Sequence, residues 1–303
     1  QILVREGTVS KDLAALAELI TADRTPFLAF CTDDRNPLDI AEEGHLDHLI
    51  RSVIARGVRP LDAYRAASWS AARHFGLDDR GLVAPGQRAD LVLLEDLATC
   101  KIQSVICRGT PVTPDRFATR PHVPPVGLDS VMLKPVTAAH FRMPLGAGEP
   151  PPVIGIRPGQ ILTDRLALEV TVRDGEMVSD VARDILKVAV LGRHNDRGEV
   201  GHGLVKGFGI VRGAIASSIG HDSHNVCVIG CTDRDMAVAV NRLIELRGGF
   251  AAAVDGTVVG ELALPIAGLM SDQPFETVEQ GLRALRAAVR GLGTQLHEPF
   301  LQM

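Results

Sequence analysis

Two adjacent carboxylates, Asp33 and Asp34, follow Thr32 at the end of a continuous apolar run, Phe27 to Cys31. Such a run is typical of a strand buried on both faces. In parallel α/β folds the reacting groups lie where strands end and loops begin. A carboxylate placed there can bind a metal ion or carry a proton. The same residues, standing before Pro37, would also form a turn and a helix N-cap, so this motif alone leaves both interpretations open.

A second polar cluster follows Gly220 and consists of His221, Asp222, Ser223 and His224. Two histidines three positions apart, with an acid and a hydroxyl between them, could bind a metal ion, a substrate or a phosphate. The alternative is a loop whose polar groups satisfy one another before the next strand. The sequence favours neither interpretation.

The remaining histidines and the cysteines favour structural roles. His45 and His48 lie three positions apart on an acidic helical segment, which is typical of surface or packing residues. Cys227 and Cys231 have no second pair nearby, so no zinc site is predicted there. The chain has five cysteines, an odd number at uninformative spacings, which indicates thiols in a reducing compartment.

Composition excludes several classes of function. The 303 residues carry a net charge of −5 and only nine Phe, one Tyr and one Trp, so neither the basic surface nor the stacking rings of a nucleic-acid-binding protein are present. No apolar stretch approaches the roughly 20 residues that span a bilayer. The first residues also lack the pattern of a signal peptide. We therefore expect a cytoplasmic protein with no nucleic-acid or membrane partner.

The first half of the chain has the pattern of a parallel α/β unit. Apolar runs predict two strands, and a segment with helical periodicity between them, Lys11 to Ile20, predicts the crossover helix. Two further helices are predicted over Ile40 to Arg56 and Pro60 to Phe75. A short β region begins at Gly81. Eleven of the 18 prolines then fall between Pro111 and Pro158, which indicates a stiff linker.

The second half has the pattern of an α+β domain. A strand is predicted over Val226 to Ile229 and helices over Asp233 to Leu246 and Thr277 to Val289. A hairpin is predicted over Phe250 to Val259, turning at Asp255-Gly256. The glycines between Gly201 and Gly209 lack the Gly-Lys-Ser/Thr ending of a phosphate-binding loop and are interpreted as turn residues.

Several segments together resemble the amidohydrolase superfamily and, within it, the bacterial-type adenine deaminases. In the first half the resemblance is carried by Thr32-Asp33, by Ala41-Glu-Glu-Gly-His-Leu-Asp47, by Ala67 to Leu77 and by Gly81 to Asp96. In the second half it is carried by Arg212-Gly-Ala-Ile-Ala-Ser-Ser, His221-Asp-Ser-His-Asn225, Asp235-Met-Ala, Asn241-Arg-Leu and Ala263-Leu-Pro-Ile-Ala-Gly-Leu-Met-Ser271. The resemblance covers nearly the whole chain.

The resemblance implies an α/β fold in four parts. Residues 1–80 would be the last strands and helices of a (β/α)8 metal-dependent hydrolase barrel, and residues 81–120 a small appended β-sandwich segment. Residues 121–160 would be a proline-rich linker, and residues 161–303 an α+β C-terminal domain. The superfamily's His-x-His metal pair is missing from the ten histidines, so we expect this chain to be part of a longer protein.

The resemblance also implies a reaction. Two divalent metal ions, manganese or iron with zinc possible, would hold a hydroxide that attacks C6 of adenine, giving hypoxanthine and ammonia. Asp33, with Asp34 as the alternative, would bind one metal and move the proton, and the His221–His224 loop would help close the substrate site. A homo-oligomer, most simply a dimer, is expected. The alternatives are an amidohydrolase that acts on a cyclic amide, and a non-catalytic chain without the metal-binding histidines.

Overall fold

The computed structural model describes residues 1–118, 121, 123–146, 150–195, 197–221 and 223–303. These residues form two compact units, Gln1–Val123 and Pro124–Met303. The boundary between the units falls within the proline-rich segment, where prolines disfavour both helix and sheet ladders. Each unit has its own hydrophobic core and is described separately.

The first unit begins with two parallel strands. β1 (Ile2–Arg5) pairs with β2 (Leu28–Cys31), and Arg5 lies opposite Cys31 at their carboxyl ends. The crossover contains one helical turn, α1 (Leu13–Leu16), followed by a 3-10 turn. Four helices then follow β2, and the last three of them contact it. They are α2 (Pro37–Glu43), α3 (Leu46–Ala55), α4 (Pro60–Ala67) and α5 (Trp69–His74).

Each of the two long helices predicted from the sequence is broken into two. Gly44 separates α2 from α3 with φ of 103°, a backbone conformation that favours glycine and ends a helix. Ser68 separates α4 from α5, and its hydroxyl donates a hydrogen bond to the Tyr64 carbonyl oxygen at 2.6 Å. Such a bond offers the backbone an alternative to continued helix. Helical periodicity continues through both breaks, which is why the sequence pattern does not reveal them.

The rest of the first unit is a small antiparallel sheet with strand order β3-β4-β5. Its strands are β3 (Leu91–Asp96), β4 (Lys101–Cys107) and β5 (Thr110–Pro111), and a short helix, α6 (Pro114–Ala118), follows. The β structure predicted after Gly81 is therefore confirmed, with its first strand beginning at Leu91.

The second unit is built on an eight-stranded mixed sheet with strand order β15-β14-β12-β13-β10-β11-β6-β7. β11 and β6 run parallel, and the other neighbours run antiparallel. The strands are β6 (Val153–Ile156), β7 (Thr163–Leu166), β10 (Ile185–Leu191), β11 (Val200–Lys206), β12 (Ala214–Ser217), β13 (Val226–Gly230), β14 (Gly249–Val254) and β15 (Thr257–Ala263). A separate hairpin pairs β8 (Val172–Arg173) with β9 (Glu176–Met177).

Two helices pack against this sheet. α7 (Asp233–Leu246) buries one face in the larger core of the unit, and the Thr232 side chain caps its start by accepting a hydrogen bond from the Asp235 N–H. α8 (Phe275–Arg290) packs on β14 and β15. The predicted mixed α/β class is confirmed at this level. No helix in the described ranges is both long enough and apolar enough to cross a membrane.

Candidate functional site

The carboxyl ends of β1 and β2 place Asp33 beside Arg5. The strands are parallel, so their carboxyl ends meet at one edge. Asp33 follows β2 with φ of 49°, and its side chain is 48% exposed. Arg5 Nη1 donates to Asp33 Oδ2 at 3.4 Å, and Arg5 Nε lies 3.8 Å from Asp12 Oδ2. Within the described part of the chain, this is the only hydrogen bond to the Asp33 carboxylate, so a ligand has access to it.

Asp34 has a different environment. Its Oδ1 accepts the Thr8 N–H at 3.2 Å, and its Oδ2 accepts the N–H groups of Val9 and Ser10 at 3.0 and 3.4 Å. The loop after β1 wraps so closely that a Cβ on Gly7 would lie 1.5 Å from Asp34 Oδ1. Three backbone donors on one carboxylate are typical of an anchor that holds a loop. This geometry supports Asp33 rather than Asp34 as the residue available for chemistry.

Thr32, immediately before Asp33, contacts a residue that sequence reasoning interpreted as packing. Its Oγ1 shares a hydrogen bond with His45 Nε2 at 3.0 Å, and the donor depends on which ring nitrogen carries the proton. His45 is the residue before α3, and its own N–H donates to Asp47 Oδ1 at 2.8 Å. Only the Gly-His-Leu-Asp segment within the family resemblance could have signalled this contact, because it joins loops 13 residues apart.

A buried guanidinium supports the turn that carries His45. The Arg35 side chain is 1% exposed, with Nε donating to the Gly44 carbonyl oxygen at 2.8 Å and Nη2 donating to Glu43 Oε2 at 2.6 Å. Burial alone would raise the pKa of Glu43, but the hydrogen bond from Arg35 and the charge of His48 outweigh it and lower that pKa. Burial and the charge of Arg35 lower the pKa of His48. This turn is therefore held by a carboxylate that stays ionised.

Two groups at the strand ends resist ionisation. Burial raises the pKa of Glu6, although its carboxylate also accepts the Leu13 N–H, which lowers the pKa in part. Burial and the negative charge of Asp33 raise the pKa of the Cys31 thiol. The raised pKa reduces the fraction of nucleophilic thiolate that Cys31 carries at neutral pH in the metal-free protein. Asp33, which follows β2, combines exposure with freedom from backbone anchoring.

The second candidate cluster lies on a loop between β12 and β13. His221 and Ser223 are exposed, and Asp222 lies outside the described residues. The His224 N–H donates to the Gly220 carbonyl oxygen at 2.7 Å, and His224 has a φ of 50°. The described hydrogen bonds of Ser223 and His224 thus serve the loop itself or its neighbours in the same unit.

Two consecutive residues after β10 hold this loop. His194 Nε2 shares a hydrogen bond with the Ser223 carbonyl oxygen at 2.9 Å. Arg193, 1% exposed, donates from Nε to the His224 carbonyl oxygen, from Nη1 to the Ser130 carbonyl oxygen at 3.0 Å and from Nη2 to the Ala267 carbonyl oxygen at 2.9 Å. One guanidinium therefore joins three loops, a role that the sequence pattern did not reveal.

Comparison with known proteins finds a family match in each unit. Residues 2–112 match the amidohydrolase family, and residues 160–303 match the adenine deaminase C-terminal domain. Over 302 residues the chain is 58% identical to adenine deaminase 1 of Rhizobium johnstonii and 59% identical to adenine deaminase of Methylobacterium nodulans. The chain is similar to adenine deaminases along its whole length. Each alignment covers 100% of this chain and 53% of the relative, so the chain spans about half the length of these adenine deaminases.

A more distant adenine deaminase, from Brucella suis, is 54% identical over the same length and is covered to 52%. The resemblance drawn from Thr32-Asp33 and the second-half motifs is thereby confirmed. Amidohydrolases of this family depend on metal, and a carboxylate is a suitable ligand for manganese, iron or zinc. The described ranges contain no group of three or more His, Cys, Asp or Glu that could hold a metal ion. The exposed Asp33 carboxylate is of a chemical type that can serve as one ligand to such a metal ion.

Proposed function

We propose that this chain supplies Asp33 to the active site of an adenine deaminase, and that the complete protein hydrolyses adenine to hypoxanthine and ammonia. The observation that carries the proposal is the accessible Asp33 carboxylate at the joined carboxyl ends of two parallel strands. In parallel α/β folds this edge is where catalytic groups lie. The names of the relatives, which match along the whole chain, support adenine as the substrate.

The finer architecture is part of the same proposal. Residues 1–80 would form the end of a (β/α)8 barrel, to which β1 and β2 contribute two parallel strands. Residues 81–120 would form the small β-sandwich segment, which the sheet β3-β4-β5 supports. Residues 121–160 would be the linker and residues 161–303 the C-terminal α+β domain, in agreement with the span of the matching family model.

The chemistry requires divalent metal, for which we propose two ions, manganese or iron, with zinc possible. When bound, the metal would act as a Lewis acid and make water a competent nucleophile at neutral pH. Asp33 would bind one ion through its exposed carboxylate. It would also accept the proton lost by the attacking water and deliver it to the amino group that leaves C6 as ammonia. Arg5, already facing Asp33 Oδ2, would keep the carboxylate oriented.

We also propose that the loop His221, Asp222, Ser223 and His224 takes part in substrate binding. Its support is the fixed geometry that Arg193 and His194 impose on Ser223 and His224. A double variant, His221→Ala with His224→Ala, should raise KM for adenine. Unchanged KM and kcat in that variant would end the proposal for this loop.

The cell compartment and oligomeric state complete the proposal. A cytoplasmic enzyme is supported by the cysteines, all five of which are free thiols. A homo-oligomer, most simply a dimer, is proposed from the family resemblance. Light scattering of the complete expressed protein measures its oligomeric state, and a monomeric mass would contradict this part.

Adenine turnover by the complete expressed protein tests the function. The protein is stripped with a chelator, reloaded with manganese, ferrous iron or zinc, and assayed for both hypoxanthine and ammonia. We expect equal amounts of the two products, no product in the stripped protein, and recovery with manganese or iron. Hydrolysis of a hydantoin or a dihydropyrimidine without adenine turnover would instead establish a cyclic-amide hydrolase.

A further inference from the structure

The backbone at Asp33 needs support from its neighbours. Its φ of 49° is in the left-handed region, which is strained for a non-glycine residue and persists only where the surrounding structure holds it. That conformation sets the direction in which the carboxylate leaves the strand end. On the C-terminal side, Asp34 is fixed by three backbone N–H groups. On the N-terminal side, the corresponding fixed contact is the hydrogen bond between Thr32 Oγ1 and His45 Nε2.

The position of His45 does not depend on Thr32. Gly44 allows the turn through its φ of 103°, and a Cβ there would meet Asp47 Oδ2 at 2.5 Å. The same Asp47 accepts the His45 N–H, and Arg35 Nε donates to the Gly44 carbonyl oxygen. These contacts hold the backbone of the turn without using the Thr32 side chain. The hydrogen bond therefore joins Thr32 to a turn that has backbone anchors of its own.

Packing does not account for the His45 ring. The residue is exposed, so its side chain fills no core space. Its Nε2 nevertheless lies at hydrogen-bond distance from a hydroxyl 13 residues earlier in the chain. His48, three residues further along, instead has its Nε2 3.8 Å from Glu43 Oε2, so the two histidines have different partners.

We propose that His45 is a positioning residue for Asp33 and acts through Thr32. The imidazole holds the Thr32 hydroxyl, Thr32 fixes the start of the left-handed turn, and the turn directs the Asp33 carboxylate outward. This inference rests on the proposed function of Asp33 as a metal ligand. Groups that orient a metal ligand without touching the metal typically change metal affinity or activity by about 10- to 100-fold when removed.

The test uses the complete expressed protein and four variants: His45→Ala, His45→Gln, Thr32→Val, and Thr32→Val combined with His45→Ala. Manganese affinity is measured by electron paramagnetic resonance of the free ion, and kcat and KM are measured with adenine. We expect His45→Ala and Thr32→Val each to weaken manganese binding and to lower kcat by about 10- to 100-fold, with KM little changed. Glutamine places a hydrogen-bonding group near the position of Nε2, so His45→Gln should restore most of both.

The double variant and a control separate positioning from general damage. Both single changes remove the same hydrogen bond, so the double variant should be no worse than either one. His74→Ala is the matched control, since His74 is an exposed histidine of α5 whose ring packs on Phe75. It should leave manganese affinity and kcat at the wild-type level.

Different results would contradict the positioning role of His45 and the metal-binding role of Asp33. Wild-type manganese affinity and kcat in His45→Ala, or additive losses in the double variant, would overturn the role of His45. Failure of His45→Gln to recover more than His45→Ala would also overturn it. If Asp33→Asn lowers manganese affinity and turnover while His45→Ala does not, only the positioning inference fails. If Asp33→Asn changes neither, the proposed function of Asp33 fails and the inference with it.

Discussion

Asp33 and Asp34 offer a matched pair of substitutions, because the Asp34 carboxylate anchors a loop and the adjacent Asp33 carboxylate is accessible. The Asp34 carboxylate accepts hydrogen bonds from three backbone N–H groups. In Asp34→Asn the side chain keeps only one acceptor oxygen, and its NH2 group faces a backbone N–H that is also a donor. A hydrogen bond to a charged group contributes about 1.5–3 kcal/mol, and the shortest bonds, from Thr8 and Val9, lie on different oxygens. Loss of one oxygen and of the charge should therefore cost about 2–4 kcal/mol of unfolding free energy.

Asp33→Asn should cost far less. The side chain is 48% exposed, and its ion pair with Arg5 is 3.4 Å long. Exposed pairs of this kind contribute about 0–1 kcal/mol. With roughly 2–4 °C of melting temperature per kcal/mol in a domain of about 150–250 residues, Asp34→Asn should melt about 5–15 °C lower and Asp33→Asn within about 4 °C of wild type.

The assay is thermal unfolding followed by far-UV circular dichroism at neutral pH. A chelator is present throughout, so that metal binding to the folded state does not contribute to the melting temperature. Equal melting temperatures for the two variants, or a larger loss in Asp33→Asn, would refute the assignment of Asp34 as the loop anchor and Asp33 as the accessible carboxylate.

Three further predictions concern stability. Arg193→Met removes the buried donor of three loop carbonyl oxygens, and each unsatisfied oxygen should cost about 1–3 kcal/mol of unfolding free energy. The melting temperature should therefore fall by about 6 °C or more. A melting curve like that of wild type would contradict this prediction. Gly249→Ala should abolish soluble expression, because Gly249 has a φ of 125° and a Cβ there would lie 1.9 Å from the Leu262 carbonyl oxygen. A soluble variant with native circular dichroism would contradict this prediction. The pKa of His48 is lowered by burial from 6.5, so the unfolded state binds the proton more tightly and stability is lost as pH falls below about 6.5. His48→Gln should flatten that loss in melting temperatures measured from neutral to mildly acidic pH, and parallel curves for both proteins would count against it.

Local signals in the sequence were sufficient for some elements. α7 spans the predicted Asp233 to Leu246, because a Thr N-cap and a regular apolar face define its start and its length. The hairpin at Asp255-Gly256 also forms as predicted, since that dipeptide matches the turn that joins twisted strands. In both cases the interactions that decide the structure are close in sequence.

Other features depend on contacts that no local pattern contains. The glycines predicted as turn residues divide into two groups: Gly207 and Gly209 have positive φ, whereas Gly201 and Gly203 lie inside β11 and pair with β10. Gly201 and Gly203 lie in a strand because that segment pairs with the neighbouring strand β10.

The distinction between Asp33 and Asp34 has the same origin. Strand alternation indicates that only one of the two points toward the site, and it does not identify which one. The N–H groups that anchor Asp34 come from residues 24 to 26 positions earlier. The contact of His45 with Thr32 likewise joins separate loops, so a histidine that looked like a surface residue became a candidate positioning group only in the folded chain.

Adenine turnover by Asp33→Asn, in the complete expressed protein loaded with manganese, tests the central claim most directly. Hypoxanthine and ammonia are measured beside the wild type, and the melting temperature of the variant shows that it is folded. We expect a folded variant with reduced manganese binding and kcat/KM lowered by at least about 100-fold, in line with the loss of a group that moves a proton in the transition state. A folded variant that turns over adenine at the wild-type rate would contradict the account.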